Sequence, residues 1–126
     1  MTRKLTAGDR LRRDMNATLD RVARATNRPV QWDAADRIAL DRACDAADRA
    51  EKLREQFDNE LTGQARVTSL AKISAEIRAL DRLSIEVTRR LNADLGKLAT
   101  RIDTNKQRAA HRRWDIERRN QLAHEG

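Results

Sequence analysis

The fold of this chain depends on residues 70–102, which read LAKISAEIRALDRLSIEVTRRLNADLGKLATRI. Apolar residues recur in this stretch at spacings of three and four, and only Ser84 interrupts the series. This spacing places them on one side of a helix and is typical of a long helix that packs against partner helices. The members of this seam are Leu70, Ile73, Ile77, Leu80, Val87, Leu91, Leu95, Leu98 and Ile102.

The composition favours an all-α protein of one domain that assembles into an oligomer. The chain has 126 residues, of which 37% are charged, with one Pro, one Phe, two Trp and no Tyr. Such a composition suits extended helices better than a compact globule. Because so few large apolar side chains are available, we expect copies of the chain to complete one another's core.

The sequence lacks the apolar segments that direct a chain to or through a membrane. No stretch approaches the roughly 20 apolar residues of a membrane span. The start, Met1-Thr2-Arg3-Lys4, has no apolar run of the kind found in signal peptides. We therefore expect an intracellular protein without a membrane partner.

Residues 1–31 are predicted to form a basic N-terminal arm that contains one short helix. Apolar residues at spacings of three and four between Leu11 and Val22 indicate the helix, which Thr6 or Asp9 can cap. Asn27-Arg28-Pro29 ends it, because the residue before a proline is disfavoured in a helix. This segment is too short for a complete helix-turn-helix domain, so any DNA contact would come from an arm or a single helix.

Residues 32–96 are predicted to form an antiparallel, coiled-coil-like helical hairpin, which is the oligomerisation core. Its first arm begins at the N-cap Asp33 and ends at Gly63, where a left-handed C-cap is expected. Thr68 or Ser69 then caps the second arm after a short connection, so the arms fold back on each other. Alanines of the first arm are expected to face the large side chains of the second.

The net charge of +7 is concentrated at the two ends of the chain. Residues 1–31 sum to +5, residues 32–96 to −2 and residues 97–126 to +4. The last of these is predicted to continue the helix past Gly96 as a basic extension with looser packing. Because each cation that neutralises a phosphate releases counterions, basic ends of this kind favour a nucleic-acid partner.

These patterns predict three sets of functional residues. For contact with double-stranded DNA the clustered arginines of the first segment are expected, namely Arg10, Arg12, Arg13, Arg21, Arg24 and Arg28. For the interface between copies the expected residues are Leu70, Ile73, Ile77, Leu80, Val87 and Leu91. The tail is expected to dock on a partner or on DNA through Arg108, Arg112, Arg113, Trp114, Arg118 and Arg119.

The sequence offers no signal for an enzyme, a metal site or a cofactor. It has no Gly-x-x-x-x-Gly-Lys phosphate loop, so ATP hydrolysis of that type is not expected. Cys44 is the only cysteine and is interpreted as a small packing residue, while His111 and His124 have no companion at ligand spacing. We therefore expect neither a catalytic residue nor a small-molecule substrate.

Short motifs follow one another in the first three quarters of the chain. Residues 8–14 read GDRLRRD, residues 40–48 read LDRACDAAD, and Gly63 and the sequence Glu76-Ile77-Arg78 come after them. The order of these motifs resembles that of the small terminase subunits of tailed phages and prophages of actinobacteria, where they are similar to the first helix, the acidic helix, the turn and the start of the next helix. The resemblance covers roughly residues 5–95 and excludes the basic extension.

The resemblance implies the non-catalytic DNA-recognition component of a viral genome-packaging motor. In that family the small subunit forms a homo-oligomeric ring, binds viral double-stranded DNA and regulates the large subunit, which supplies the ATPase and nuclease. The implied location is the cytoplasm of the bacterial host. Two other interpretations of the residues remain: a helical accessory protein of a plasmid relaxosome or nucleoid, and a coiled-coil scaffold or adaptor with no nucleic-acid role.

Overall fold

The computed structural model describes residues 3–124, apart from the side chains at 102 and 103. In this part of the chain the secondary structure is α-helical, with short loops between the helices. Helix α1 spans Ala7–Thr26, α2 spans Ala34–Thr62 and α3 spans Val67–His124. Helices α2 and α3 form the expected hairpin, and α1 packs against both of them. The side chain of Ile102, the last member of the predicted seam, lies outside the described residues.

Helix α1 begins and ends with local caps. Thr6 is its N-cap: the Thr6 hydroxyl accepts the Asp9 backbone N–H at 3.1 Å, and the Asp9 carboxylate accepts the Thr6 N–H at 3.2 Å. The hydrogen bond from the Thr6 backbone N–H to the Asp9 carboxylate lowers the pKa of Asp9. At the other end Asn27 is left-handed, with φ of 52°, and its N–H is bonded to the carbonyls of Ala23 and Arg24.

Helix α2 begins as predicted and ends differently. Asp33 is the N-cap, and its carboxylate accepts the Asp36 N–H at 2.7 Å. The left-handed conformation expected at Gly63 is wrong, since Gly63 has φ of −95°. The positive φ, 52°, occurs two residues later at Ala65, whose N–H donates to the Glu60 carbonyl at 2.7 Å.

An ion pair between Glu60 and Arg66 accounts for this turn and for the start of α3. The Glu60 carboxylate accepts the Arg66 backbone N–H at 3.0 Å and its guanidinium Nε–H at 2.7 Å, and these bonds lower the pKa of Glu60. Helix α3 starts at the next residue, and the Arg66 carbonyl accepts the Leu70 N–H. The prediction that Thr68 or Ser69 caps α3 is therefore wrong, because both lie inside its first turn.

The core lies near the middle of the hairpin, where α1 covers it. Ala43 and Ala50 of α2 are completely buried, and such small side chains allow the helices to approach closely. Ser84, which interrupts the seam, donates its hydroxyl to the Ala43 carbonyl at 3.1 Å and so links the two arms. The central cluster consists of Met15, Leu40, Ala43, Cys44, Val87 and Leu91.

Helix α1 is attached to α2 by its N-terminus as well as by apolar contacts. The Gly8 N–H donates to the Asp48 carboxylate at 2.7 Å, and the Ala7 N–H to the Glu51 carboxylate at 3.4 Å. Both carboxylates occupy the positive end of the α1 dipole, where an anion is stabilised. Gly8 is itself buried, because α1 approaches the backbone of α2 at Cys44.

Helix α3 continues through Gly96 without a break, as predicted. Its 58 residues correspond to about 87 Å at 1.5 Å per residue. Up to Leu95 its apolar side is covered by α1 and α2, whereas all described side chains from Thr100 to His124 are exposed. The basic extension therefore projects from the hairpin as a single helix.

Candidate nucleic-acid interface

Four of the predicted DNA-binding arginines lie on the outer side of α1. Met15 and Leu19 face the core. With 3.6 residues per turn, the opposite side carries a row that spans about 80° of the helix. This row consists of Arg10, Arg13, Arg21 and Arg24.

Two of the predicted residues form ion pairs with α2. The Arg10 guanidinium lies 2.9 Å from the Glu51 carboxylate, and that of Arg12 lies 2.8 Å from Asp41. The hydrogen bond to Asp41 raises the pKa of Arg12. Both residues therefore help to hold α1 on α2, and a phosphate would have to compete with a carboxylate for them.

The other four predicted residues remain at the surface. Arg13 lies 3.3 Å from its sequence neighbour Asp14, and Arg21 donates to the Thr18 hydroxyl at 3.0 Å. Arg24 and Arg28 are exposed. Among the described side chains, none of these four arginines forms an ion pair between helices.

Arg28 belongs to a groove between the α1–α2 loop and α3. The groove has a volume of about 390 Å³ and is lined by the loop residues 28–31 together with Leu98, Arg101 and Asn105. It brings a guanidinium of the predicted N-terminal set beside one of the extension. The two basic segments of the sequence therefore meet in space at Arg28 and Arg101, which are 73 positions apart.

A further basic group on the outer side of α3 was missed by the sequence analysis. Arg78, Arg82 and Arg89 line a shallow groove of about 490 Å³. Its other lining residues are the acidic Asp81 and Glu86 and the apolar Ile85, whose side chain is 55% exposed. A neighbouring groove of about 520 Å³, between α1 and α3, is lined in part by Leu11, Ile85 and Arg89. The spacing of these arginines, four and then seven positions, indicates that they share one side of a helix. The net charge of −2 over residues 32–96 does not reveal them, because it sums all sides of the two helices.

The predicted interface between copies is largely used within the chain itself. Val87 is 8% exposed and Leu91 is completely buried, because α1 and α2 cover them. Within a single chain these two residues leave little or no surface for a second copy, and their place in an interface stays a prediction. The half-buried positions of the predicted set, which retain some exposed surface, are Leu70, Ile73, Ile77 and Leu80.

The predicted docking residues of the tail are all exposed on the extension. Trp114 is 65% exposed, and two further apolar side chains there, Ile116 and Leu122, are 57% and 66% exposed. All side chains from Thr104 to His124 are exposed. The arginines of the set, which surround Trp114 in the sequence, are Arg108, Arg112, Arg113, Arg118 and Arg119.

Cys44 is buried in the central cluster, as expected for a packing residue, and burial raises the pKa of its thiol. In the described part of the chain, His, Cys, Asp and Glu side chains form no group of three that could hold a metal ion. None of the three helices, over the residues described, has an apolar stretch long enough to cross a membrane.

Comparison of the chain with protein-family models, with curated proteins and with solved structures gives no match.

Proposed function

We propose that the chain is a non-catalytic protein that binds double-stranded DNA, of the small terminase subunit type. The observation that carries this proposal is the exposure of basic side chains in both terminal segments of the sequence. Arg13, Arg21 and Arg24 line the outer side of α1, and the extension of α3 projects its basic residues into solvent. Surfaces of this kind attract the phosphate backbone without requiring a pocket.

The finer part of the proposal is a packaging role in the cytoplasm of a bacterial host. Several copies would assemble, with a ring as the expected form, and each copy would add the +5 and +4 of its two ends to a shared positive surface. The large terminase subunit would supply ATPase and nuclease activities. Support for this part comes from the resemblance of residues 5–95 to that family.

DNA binding is tested by titrating a labelled duplex at several salt concentrations and following fluorescence anisotropy. We expect the affinity to fall steeply with salt, and the triple change Arg13→Gln, Arg21→Gln, Arg24→Gln to flatten that dependence. The matched control is Arg37→Gln, Arg42→Gln, Lys52→Gln, which removes the same charge from exposed positions of α2. Absence of salt-dependent binding by the unchanged protein would refute the proposal.

Native mass spectrometry with and without the duplex tests the finer part. A ring that binds DNA is expected for a small terminase subunit. A dimer that binds DNA would instead favour an accessory protein of a relaxosome or nucleoid. An oligomer that ignores DNA would favour a scaffold or adaptor, for which the exposed Trp114 is a suitable protein contact.

A further inference from the structure

The extension of α3 carries a straight row of basic residues along one side. Successive members are separated by four, seven, four and seven positions, so at 3.6 residues per turn they fall within about 60° of the helix circumference. The row is about 33 Å long, at 1.5 Å per residue. Its members, all exposed, are Lys97, Arg101, Arg108, Arg112 and Arg119.

The row begins at the body of the molecule. Arg101 lines the groove that also contains Arg28 of the α1–α2 loop, together with Asn105. The row is therefore continuous with the positive charge of the N-terminal segment. A linear polyanion that lies along the extension would meet Arg28 at its inner end.

The other basic residues of the extension lie away from this row. Lys106 and Arg113 are on the opposite side of the helix, and Arg118 lies about a quarter-turn from the row. Asp115, about five turns after Lys97, is the one carboxylate that lies within the arc of the row among the described residues of the extension, whereas Glu117 is on the far side. The extension thus has a strongly basic side and a mixed side, although its overall composition does not reveal the difference.

The same row disfavours pairing of two extensions as a coiled coil. Apolar positions recur every seven residues at Ala109 and Ile116, but the second row that such a seam needs contains Asn105, Arg112 and Arg119. Two parallel extensions would bring like guanidinium groups together in their interface, which costs free energy. The basic side is therefore better suited to an anion than to a second copy.

We propose that this row is a binding track for the phosphate backbone of double-stranded DNA, with Arg28 at its inner end. Its length of about 33 Å is close to the rise of one turn of B-DNA, about 34 Å. Five cations over that length can each neutralise a phosphate and release counterions. This inference rests on the proposed DNA binding and adds the surface that performs it.

Two triple variants with the same change of charge test the track. Arg108→Gln, Arg112→Gln, Arg119→Gln removes three members of the row. Lys106→Gln, Arg113→Gln, Arg118→Gln removes three basic residues outside it. For the row variant we expect the Kd for a duplex at about 100 mM salt to rise at least tenfold. The slope of log K against log[salt] is negative, and we expect its magnitude to decrease by about 2.7. For the control we expect a rise of less than about threefold.

A second pair of variants tests the same surface by gain of affinity. Asp115→Asn removes a carboxylate from within the arc of the row and should tighten DNA binding, while Glu117→Gln on the far side should change it less. Circular dichroism of each variant checks that the helix is intact.

The outcomes separate the track from the proposed function. If the unchanged protein does not bind the duplex, DNA binding and the track both fail. If it binds and the two triple variants weaken equally, or the row variant binds normally, DNA binding stands and the track is overturned. If the extension binds an acidic protein instead of DNA, the row variant should bind the duplex normally, and the track is overturned.

Discussion

Substitution of Gly8 by alanine should detach α1 from α2. A Cβ at this position would lie 2.5 Å from the Cys44 carbonyl oxygen, and 2.7 and 2.8 Å from the Asp48 carboxylate. Ordinary van der Waals contact begins at 3.4 Å, so α1 would have to move away by about 0.9 Å. The Cys44 oxygen belongs to the backbone of a helix and cannot rotate aside.

The expected loss is about 3 kcal/mol of the free energy of unfolding. Overpacking of a buried position costs about 1–3 kcal/mol. Loss of the hydrogen bond from the Gly8 N–H to the Asp48 carboxylate, 2.7 Å long, adds about 1.5–3 kcal/mol. The higher helix propensity of alanine returns at most about 1 kcal/mol.

Gly96→Ala is the matched control, since a Cβ there has no atom within 4 Å. It should raise the stability of α3 by up to about 1 kcal/mol. Urea denaturation followed by circular dichroism measures both variants. The indole of Trp32, which donates to the Asn16 carboxamide at 3.0 Å, gives a fluorescence signal for the release of α1. A Gly8→Ala protein as stable as the unchanged protein would refute the close approach of α1 to α2.

Three further predictions concern the turn, the acid response and the core. Ala65→Gly should raise the free energy of unfolding by about 1 kcal/mol, because Ala65 has φ of 52°; a loss of stability in urea would contradict this conformation. Hydrogen bonds lower the pKa of both Asp9 and Glu60. The two ionised carboxylates therefore stabilise the folded chain fully above about pH 4.5, and this contribution is lost as the pH falls through the lowered pKa values. Glu60→Gln should reduce the loss of stability with acid in thermal melts from about pH 6 to 2. Leu91→Ala should lower the free energy of unfolding by about 3 kcal/mol without changing the particle mass measured by light scattering. Ile85→Ala, at an exposed site, should lower it by less than about 1 kcal/mol. A smaller particle for Leu91→Ala would show that this residue takes part in an interface between copies.

The parts of the fold that depend on neighbouring residues could be predicted from the sequence. Thr6 was one of two N-caps considered for α1, and Asp33 was the N-cap predicted for α2; both bind an N–H three residues ahead, which is a local interaction. The hairpin followed from the seam and the short connection. The turn at Gly63 was mispredicted because the ion pair between Glu60 and Arg66 fixes the chain and shifts the left-handed residue to Ala65.

The position of α1 could not be predicted, because it depends on contacts between distant residues. Gly8 meets Asp48 across 40 positions, and Arg10 meets Glu51 across 41. The arginine cluster was recognised in the sequence, but the sequence does not reveal that Arg10 and Arg12 are paired with carboxylates of α2. The same limitation hid the proximity of Arg28 to Arg101, which only the fold creates.

Ser84 also fixes the alignment of the hairpin arms. Its hydroxyl fits beside Ala43 and bonds the carbonyl of that residue. A slip of one turn, about 5.4 Å, would place the bulkier Leu80 or Thr88 beside the completely buried Ala43, and Leu80 has no hydroxyl that could replace the bond. A single register is therefore selected, and it sets how far the free end of α3 overhangs. The distance between the arginines of α1 and those of the basic extension is therefore fixed by the register of the hairpin.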